Sequence, residues 1–553
     1  MRRRVINIML CLLMIVAFFS VEVPSNVSGQ LTEEWIARYD GHGNWYDNAR
    51  AIAVDSSGNV YVTGQSWGNG TDYDYATIKY DTNGNQVWID RYNGPKNVGD
   101  ESYDIAVDEE GNVYVTGHSG YLTSIGTRCD YATIKYDTNG NRMWVARYHN
   151  AASLGDYIPN DFGQGIAVDK DGNVYVTGSS YGVTQEGGSP SLDIATVKYD
   201  NDGNELWIKR YDAGASDRCY WDCIAVDEDG NVYVTGYSYG IGTGNDIVTL
   251  KYDTNGNELW VTRYNGPANR WDEGAHIAID KYGNVYVTGW SIGSETGYDS
   301  VTLKYDANGN EQWVTRYDGP ANASDGSEKI IVDEDGNVYV TGPSSSIHLY
   351  DYATIKYDTN GFRVWIDRYN GPGDRGDYAT AIAVDEEGNV YVTGWSMGFE
   401  TGHDYATVAY DSSGNQLWVK RYNGPGNGND RANAIAVDSS GNIYVTGQSI
   451  GDSTYDFCTI KYSKYSPVEA IEDLITLIEN MNLQQGIDNS LDAKLGSVLN
   501  ALDDVNENND VAAINALGAF INAVWAQRGN KINEADADSL IAAAQKIITM
   551  LSE

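Results

Sequence analysis

Basic residues, charged residues in general and phenylalanine are scarce in this chain of 553 residues. Lysine and arginine number 37 against 78 aspartates and glutamates, a formal net charge of -41, which excludes a nucleic-acid partner because phosphate binding needs a basic surface. Only 21% of residues are charged while 41% are hydrophobic, which excludes collagen, coiled coil and intrinsic disorder. Phenylalanine occurs 7 times against 43 tyrosines and 61 glycines, a balance typical of short strands joined by tight turns.

Several contiguous catalytic motifs are also absent. The sequence contains no HExxH, Walker loop, paired CxxC or helix-opening GxGxxG. The enzyme classes recognised by those motifs are therefore excluded. General acid and base catalysis needs no contiguous motif, so it is left open.

The N-terminus has the pattern of an export signal. Arg2, Arg3 and Arg4 precede an apolar run over residues 5–19, and small residues precede a cleavage point after Gly29. Because the run is too short to span a bilayer comfortably, we expect a cleaved signal peptide over residues 1–29 and no transmembrane segment in the mature chain. The expected location is secreted or cell-surface associated.

One string, NVYVTG or NIYVTG, recurs eight times at intervals of 52 to 61 residues, as repeat architectures do. Its copies end at Gly64, Gly117, Gly178, Gly236, Gly289, Gly342, Gly394 and Gly447. Each copy is accompanied by an IAVD-like, a TIKY-like and a WxxRY segment, with Asn-Gly, Asp-Gly or similar turns between them. Each unit therefore predicts a meander of four antiparallel strands.

Eight such sheets can bury their apolar faces by radial stacking, which predicts an all-β eight-bladed propeller over residues 30–465. The WxxRY segment at Trp35 lacks a preceding IAVD strand, and the last TIKY segment, ending at Tyr462, lacks a following WxxRY strand. We therefore expect a composite closing blade in which the first strand completes the last sheet.

The pattern IAVDxxGNVYVTGxS followed by DYATIKYDxNGNxxW resembles the secreted bacterial propeller repeat SBBP and, more distantly, the NHL repeat. The resemblance covers Trp35 to Tyr462 and implies that IAVD forms the innermost strand and WxxRY the outermost. The SBBP name implies seven blades, whereas this sequence has eight repeats. The resemblance implies no particular activity, because such repeats occur in proteins of different roles.

Residues present in every repeat are expected to hold the blades together. They include the Arg of WxxRY and rows of Asp at the starts of the first and third strands. Calcium could bind between two such rows because hard cations prefer carboxylate oxygens. Since no DxDxDG loop is present, we expect no cofactor, with calcium as the open alternative and metal ligands unassigned.

The repeat symmetry is broken in the second and third units. Three of their connections are lengthened, and all three belong to the face opposite the tight turns. Functional residues concentrate in such loops, so a ligand site is expected there. The residues expected to surround it are His118, Tyr121, Arg128, His149, Asp156, Tyr157, Tyr181 and Glu186.

The residue between Gly and Ser of TGxS varies around the ring and is aromatic in several units. Trp290 and Trp395 occupy this position. Exposed Trp and Tyr on a polar rim stack on sugars or anchor a partner, so both are candidate ligand-binding residues. The alternative is that these rings pack on adjacent loops.

Cys219 and Cys223 are four residues apart. In an extended strand their Cα atoms would be roughly 13 Å apart, which is beyond the reach of a disulfide. They can form a disulfide only if the chain turns between them, and both states are left open.

A different composition begins at residue 466, where alanine, leucine and isoleucine replace tyrosine. Apolar stripes at helical spacing begin at Ile471, Leu491, Leu517 and Leu540, which predicts a small all-α bundle of four helices over residues 466–553. The run ALGAFINAV over residues 516–524 resembles the FIMAH domain of bacterial secreted and surface proteins. That resemblance implies an accessory binding or attachment role without catalysis.

The sequence therefore favours a secreted, non-catalytic propeller that acts as a binding or scaffold protein. Its expected partner is an extracellular glycan or a protein, recognised through the long-loop face. The alternative is an extracellular propeller enzyme. It would be either a quinoprotein-like oxidoreductase, because YDxNGNxxW is similar to the Trp-docking repeats of that class, or a glycan hydrolase or lyase.

Overall fold

The computed structural model describes residues 31–42, 45–123, 126–150, 160–182, 191–214, 216–220, 222–346, 349–451, 454–464, 467–481, 483–502 and 509–551. The predicted signal peptide lies outside these residues. Two compact units are present, one over Leu31–Lys464 and one that contains the C-terminal residues from Tyr465. No helix among the described residues has both the length and the apolar composition needed to cross a membrane.

The first unit consists of eight antiparallel sheets, numbered here as blades 1 to 8 in chain order. The first strand of the chain is β1 (Leu31–Tyr39). Blade 1 contains β2 (Asp47–Val54), β3 (Val60–Trp67), β4 (Tyr73–Tyr80) and β5 (Gln86–Tyr92). Blade 2 contains β6 (Asp100–Val107), β7 (Val113–Thr123), β8 (Gly126–Tyr136) and β9 (Arg142–Tyr148). Blade 3 contains β10 (Asp161–Val168), β11 (Val174–Gly182), β12 (Ser191–Tyr199) and β13 (Glu205–Tyr211).

The inner strand of blade 4 is interrupted and forms two short strands. Blade 4 contains β14 (Asp217–Arg218), β15 (Ile224–Val226), β16 (Val232–Gly240), β17 (Gly244–Tyr252) and β18 (Glu258–Tyr264). Blade 5 contains β19 (Asp272–Ile279), β20 (Val285–Ile292), β21 (Tyr298–Tyr305) and β22 (Glu311–Tyr317). Blade 6 contains β23 (Lys329–Val332), β24 (Val338–Ser345), β25 (Tyr350–Tyr357) and β26 (Arg363–Tyr369).

The ring closes through a sheet made from both ends of the propeller sequence. Blade 7 contains β27 (Asp377–Val384), β28 (Val390–Met397), β29 (His403–Tyr410) and β30 (Gln416–Tyr422). Blade 8 contains β31 (Arg431–Val437), β32 (Ile443–Ile450) and β33 (Tyr455–Lys464). Its fourth strand is β1, which pairs antiparallel with β33. The eight-bladed propeller and its composite closing blade are thereby confirmed.

The tight turns between strands are held by their own aspartates. In blade 1 the Asp55 Oδ1 atom accepts hydrogen bonds from the backbone N–H groups of Ser57 and Asn59, at 3.0 and 2.9 Å. Its Oδ2 atom accepts one from the Tyr61 hydroxyl at 2.9 Å. Gly58 has a φ of 76°, a conformation that glycine adopts without steric cost. These contacts explain why the Asp and the Gly recur in each turn.

Neighbouring blades are joined by the tryptophan of WxxRY. The Trp88 indole N–H of blade 1 donates to the Thr138 carbonyl in a turn of blade 2, at 3.2 Å. A Cβ atom added to Gly140 in that turn would lie 2.6 Å from the Trp88 ring, so only glycine lets the ring pack this closely. Trp35, Trp144, Trp207, Trp260, Trp313 and Trp365 donate to the next blade in the same way.

The arginine of WxxRY forms a second repeated network. Arg91 pairs with the Asp74 carboxylate at 3.0 Å and donates to the Tyr39 hydroxyl of blade 8 at 2.8 Å. The same ion pair occurs in all eight blades. The repeated Arg and Asp residues therefore hold strands and blades together.

The C-terminal unit contains four helices within its described residues. They are α1 (Pro467–Asn480), α2 (Gln485–Leu502), α3 (Asn509–Gln527) and α4 (Glu534–Met550). Leu474, Leu495, Phe520 and Ile547 are among the buried residues of their common core. A small helical region follows the propeller, as the apolar stripes predict.

We predict that Arg38→Met loosens the ring at its closure. Arg38 of β1 pairs with Asp456 of β33 at 2.7 Å and donates to Ser449 at 2.7 Å. Its loss removes this ion pair from a largely buried carboxylate, at a cost of about 1–3 kcal/mol in the free energy of unfolding. Denaturant unfolding measures this loss, and hydrogen exchange should speed up selectively in β1 and β33.

The matched control is Arg263→Met, which removes the equivalent ion pair of blade 4. It should lower the free energy of unfolding similarly while leaving exchange in β1 and β33 unchanged. Identical exchange patterns in the two variants would contradict a special role for the closing blade.

Candidate functional site

The innermost strand of six blades carries a one-residue bulge. Strands β2, β6, β10, β19, β27 and β31 each shift register so that one residue lies outside the ladder. A β-bulge re-aims the side chain of the extra residue. The bulged residues are Arg50, Tyr103, Gln164, Ala275, Thr380 and Asn433.

Most of these residues line one cavity of about 410 Å3, which we call the axial pocket. Its lining comes from seven of the eight blades, which places it on the axis of the ring. The lining residues are Asn48, Arg50, Tyr103, Tyr220, Asp222, Ala275, Trp290, Glu328, Lys329, Tyr378, Thr380 and Asn433.

A second cavity of about 420 Å3, the side cleft, adjoins the axial pocket. The two cavities share the rings of Tyr220, Trp290 and Tyr378. The side cleft adds residues of blades 5 and 6, namely Glu273, Tyr298, Ser324, Asp325, Gly326, Pro343 and Tyr350. The two cavities thus form a path with aromatic walls from the axis across blades 4 to 7.

The shared rings are fixed by neighbouring rings and carboxylates. The centroids of Tyr220 and Trp290 are 5.9 Å apart in an edge-to-face arrangement, and the Tyr220 hydroxyl donates to Glu273 Oε2 at 2.5 Å. The Tyr378 ring stacks on Trp395 at 5.5 Å with an angle of 7° between the rings. The pocket therefore presents rigid aromatic faces.

Glu328 is the carboxylate on which the Tyr378 hydroxyl is anchored. That hydroxyl donates a hydrogen bond to Glu328 Oε1. Burial raises the pKa of Glu328 despite this hydrogen bond. Burial, followed by the Glu328 charge, raises the pKa of Tyr378. A protonatable carboxyl group is thereby placed in the wall of the axial pocket.

A partly buried ionic cluster crosses the axis beside Glu328. The Lys329 ammonium group of blade 6 pairs with the Asp222 carboxylate of blade 4. Burial lowers the pKa of Lys329 to about 8, against the opposing attraction of Asp104 in blade 2. Burial also raises the pKa of Asp104 to about 6, although two backbone N–H groups donate to this carboxylate. Three blades therefore contribute charge to one point on the axis.

Arg50 occupies the opposite wall of the axial pocket. Its guanidinium group lies 5.1 Å from the centroid of the Tyr103 ring and donates to Gln65 at 2.6 Å and to Glu101 at 3.1 Å. These contacts hold the cation in one orientation, so it can offer fixed donors to a ligand.

Three of the candidate residues from the sequence lie at or behind the axial pocket. Trp290 lines it directly, and Trp395 supports Tyr378. His118 is buried, with its ring 5.4 Å from Tyr103 and 5.2 Å from Phe162. The variable residue of TGxS is therefore at least partly buried in these three blades. His118 and Trp395 contact Tyr103 and Tyr378, two rings that line the pocket.

The other candidates lie in the lengthened parts of blades 2 and 3. Strands β7 and β8 each extend to 11 residues, so part of the added length forms a longer hairpin. On this hairpin the Arg128 guanidinium group lies 5.2 Å from the Tyr121 ring centroid and pairs with Asp130 at 2.8 Å. His149 is exposed, and Tyr181 is partly buried on β11. Asp156, Tyr157 and Glu186 lie outside the described residues.

Sequence reasoning did not identify Arg50, Tyr103, Glu328 or Lys329. A signal for three of them, Arg50, Tyr103 and Glu328, was present. The fourth residue of the inner strand, counted from its repeated Asp, is the residue that bulges, and it differs in nearly every blade. When one position varies among repeats that otherwise keep the same residues, its side chain is not needed to hold the blades together.

The string GxSxG occurs in six blades but forms no nucleophile elbow. In α/β hydrolases this string places serine on a sharp turn between a strand and a helix. Here the serines are buried within the second strands, as Ser238 illustrates by accepting a hydrogen bond from Arg263 at 2.7 Å. The six serines are Ser66, Ser180, Ser238, Ser291, Ser396 and Ser449.

Among the residues that the structure describes, two groups of three carboxylates could supply oxygen ligands to a cation. They are Asp40, Asp47 and Asp456, and Asp193, Asp212 and Asp217. In each group one carboxylate already pairs with an arginine, Asp456 with Arg38 and Asp193 with Arg210. Calcium binding stays a prediction from the sequence.

Comparisons with known proteins support the repeat assignment. A sequence profile described as a beta-propeller repeat, SBBP, matches seven segments of the chain, so SBBP repeats are present. The segments are residues 34–70, 87–120, 154–183, 224–242, 259–295, 364–400 and 417–453.

Curated relatives match only in part. The uncharacterized WD repeat-containing protein L264 of Acanthamoeba polyphaga mimivirus is 24% identical over 479 residues, covering 60% of this chain and 33% of that protein. The regulatory protein FlaEY of Caulobacter vibrioides is 30% identical over 173 residues, covering 26% of this chain and 18% of that protein. The chain thus spans a third or less of the curated relatives it matches.

Solved structures resemble the chain at low identity. An ulvan lyase of a new polysaccharide lyase family is 12% identical, with a TM-score of 0.36, and the match covers 77% of this chain and 97% of that one. The propeller domain of the Trilobed protease from Pyrococcus furiosus is 10% identical, with a TM-score of 0.37, and the match covers 65% and 92%. At this level no ligand or mechanism transfers to the chain.

We predict that His118→Gln reduces the sensitivity of the protein to acid. Burial, with Arg50 nearby, lowers the pKa of His118 to about 3, so the folded chain keeps the imidazole neutral while the unfolded chain takes up a proton below pH 6.5. The stability contributed by neutral His118 is therefore present above pH 6.5 and is lost as pH falls toward 3, by about 2 kcal/mol at pH 5.

Glutamine is the natural residue at this position in blades 1 and 8, as Gln65 and Gln448, so the variant should fold. Denaturant unfolding at pH 7.5 and pH 5 should show a smaller loss of stability for it than for the wild type. His149→Gln, at an exposed histidine, should behave as the wild type. Equal losses in all three proteins would contradict the prediction.

Proposed function

We propose that this chain is an exported, non-catalytic propeller that binds a glycan in the axial pocket and the side cleft. The observation that carries the proposal is the convergence of the Tyr103, Tyr220, Trp290 and Tyr378 rings on one cavity. Aromatic faces pack against the C–H surfaces of sugar rings, and a few fixed polar groups in such a pocket give orientation. Arg50, together with the Asn and Thr side chains of the lining, supplies these groups.

The size of the two cavities favours an oligosaccharide over a single sugar. Volumes of about 410 and 420 Å3 are each within the range of small-molecule pockets. Because Tyr220, Trp290 and Tyr378 belong to both, a bound chain can continue from the axis into the side cleft. Tyr121, Arg128 and Tyr181 on the extended hairpins of blades 2 and 3 are proposed as outer contacts for a longer ligand.

The division between repeated and unrepeated residues supports a binding role. Side chains found in every blade are engaged in seams between blades, as Trp88 and Arg91 show. Side chains that line the axial pocket differ from blade to blade, as Arg50, Tyr103 and Asn433 show. A site built from the unrepeated residues is what a repeat scaffold with one specific ligand requires.

Location and attachment are part of the same proposal. Residues 1–29 are proposed as a cleaved signal peptide, and the product is secreted or stays at the cell surface. The helical C-terminal unit is proposed as a FIMAH-like accessory domain for binding or attachment. N-terminal sequencing of exported protein should begin at Gln30, and an uncleaved Met1 in that fraction would oppose the export proposal.

Glycan cleavage is the second candidate function, and Glu328 is the observation that favours it. A partly buried carboxyl group with a raised pKa, hydrogen-bonded to a tyrosine beside a ligand cavity, is suited to general acid or base catalysis. Incubation with each bound polysaccharide, followed by an assay of new reducing ends, tests this role. Cleavage that Glu328→Gln abolishes would replace the binding proposal.

We predict that Trp290→Ala and Tyr378→Ala each weaken glycan binding at least tenfold, a loss of about 1.4 kcal/mol, because each removes a ring shared by both cavities. Wild-type protein is screened on an array of bacterial, algal and plant polysaccharides. The strongest hit is then titrated by calorimetry against each variant.

Tyr282→Ala is the matched control. Tyr282 is 73% exposed in a tight turn on the face opposite the lengthened loops, so its loss should leave affinity unchanged. Circular dichroism and thermal unfolding check that each variant is folded. A wild type that binds nothing on the array, or folded variants that bind as tightly as the wild type, would reject the proposal.

A further inference from the structure

The inner strand of blade 4 departs from the bulge pattern of the other blades. In blade 1 a single residue, Arg50, separates Ala49 from Ala51, and both alanines stay in the ladder. In blade 4 three residues, 220–222, stand between Cys219 and Cys223. Two of these three, Tyr220 and Asp222, line the axial pocket. The bulge of blade 4 is therefore a short loop, and a cysteine stands at each end of it.

The ladder on either side brings these two cysteines close together. Arg218 is paired with Tyr237, and Ile224 is paired with Val234. The Thr235 N–H group donates to the Cys223 carbonyl at 3.0 Å, and Cys219 lies beside Gly236. The cysteines thus oppose consecutive residues of β16.

This register decides between the two alternatives that the sequence left open for the chain between Cys219 and Cys223. Ala49 and Ala51 are two residues apart in the chain, so their Cα atoms can be at most about 7 Å apart. Cys219 and Cys223 stand at the corresponding places, beside Gly236 and Thr235, so the chain does not run extended from one cysteine to the other. Disulfides span Cα separations of roughly 4.4–6.8 Å. The turn that a disulfide between Cys219 and Cys223 requires is therefore present.

The two thiols also share one buried environment. Cys219 is 2% exposed and Cys223 is fully buried, and both belong to the apolar cluster between blades 3 and 4. Burial, followed by the neighbouring Cys219 thiol, raises the pKa of Cys223, and the Cys219 thiol donates a hydrogen bond to Gln164 Oε1 at 3.7 Å. All four described cysteines are thiols in this structure, and these two are the pair held side by side by adjacent strand positions.

We propose that Cys219 and Cys223 form a disulfide that closes the three-residue loop of blade 4. The two S–H bonds are lost and one S–S bond forms. The two protons and two electrons pass to an exchangeable disulfide, such as oxidised glutathione or the disulfide of a thiol oxidoreductase, which becomes two thiols. Exchange proceeds through a thiolate, so the bond forms during folding, before burial of Cys223 closes access to its thiol.

The disulfide would fix the part of the axial pocket that blade 4 supplies. Tyr220 and Asp222 lie inside the five-residue loop that the bond closes, and they contact Glu273 and Lys329 respectively. Holding them in place lowers the conformational entropy lost on binding. This consequence for affinity rests on the proposed function, whereas formation of the bond does not.

The test reads the bond directly by mass. The full chain is folded in a mixture of oxidised and reduced glutathione, unfolded in guanidinium, alkylated without reductant and digested with trypsin. Cleavage after Arg218 and Lys251 gives a peptide that contains Cys219 and Cys223 and no other cysteine. We expect that peptide to carry no alkyl group and to be lighter by two hydrogens, and to carry two alkyl groups when reductant precedes alkylation.

The double variant Cys219→Ala, Cys223→Ala is the matched control. Alanine pairs occupy the same two ladder positions in blades 1, 7 and 8, so the variant should fold. Hydrogen exchange at residues 219–224 should be about tenfold faster in it than in the oxidised wild type, and affinity for the glycan found by the array should be weaker by about fivefold.

Two outcomes would overturn the disulfide itself. One is a peptide that carries two alkyl groups without prior reduction. The other is either cysteine linked to a peptide that contains Cys129 or Cys458. If the bond forms in the wild type but hydrogen exchange at residues 219–224 is no faster in the double variant, the bond does not hold the loop in place. If the disulfide forms but the protein binds no glycan, the proposed function is rejected and the disulfide proposal stands.

Discussion

The structure depends on the seam between one blade and the next. At each of seven seams a tryptophan of the outer strand lies over a glycine turn of the following blade, as Trp88 does over Gly140. Beside it, an arginine such as Arg91 neutralises an aspartate of its own blade and donates to a tyrosine of the preceding one. These contacts hold successive sheets together. Because they are directional, they also fix the angle between the sheets. A ring of eight sheets closes when that angle is repeated, and β1 then meets β33.

The tight turns and the strand-to-strand ion pairs account for much of the acidity of the chain. Aspartates such as Asp55 accept hydrogen bonds from their own turns, and aspartates such as Asp74 are paired with arginine. The negative charge therefore belongs to the architecture, and it needs no cationic partner to explain it. The same reasoning separates structural from functional groups. Asp104, Asp222, Glu328 and Lys329 have no counterpart in the repeat pattern, and they are charged groups gathered around the axis.

Partial burial of these charged groups costs stability, and the propeller fold does not depend on them. Seven other blades close without a lysine at the position of Lys329, so the fold does not require this cation. Proteins retain such locally unfavourable groups where a site needs them. The aromatic rings around the cluster, held by Trp395, Glu273 and Glu328, complete a rigid pocket whose composition is unique within the ring.

The sequence by itself determined the architecture, because the same pattern of strands and turns occurs eight times. Strand alternation, Asp-Gly turns and the missing partner strands at each end were sufficient to predict eight blades and the composite closure. It also identified Trp290 and Trp395 as candidates.

Only the tertiary structure decided where the pocket lies. Arg50 and Lys329 are 279 residues apart in the chain and line the same pocket because a ring brings every inner strand to one axis. The direction of each bulged side chain depends on a register shift that periodicity does not encode. Cys219 and Cys223 show the same limit, since four residues of sequence fix only their greatest separation, while pairing with β16 sets the actual one.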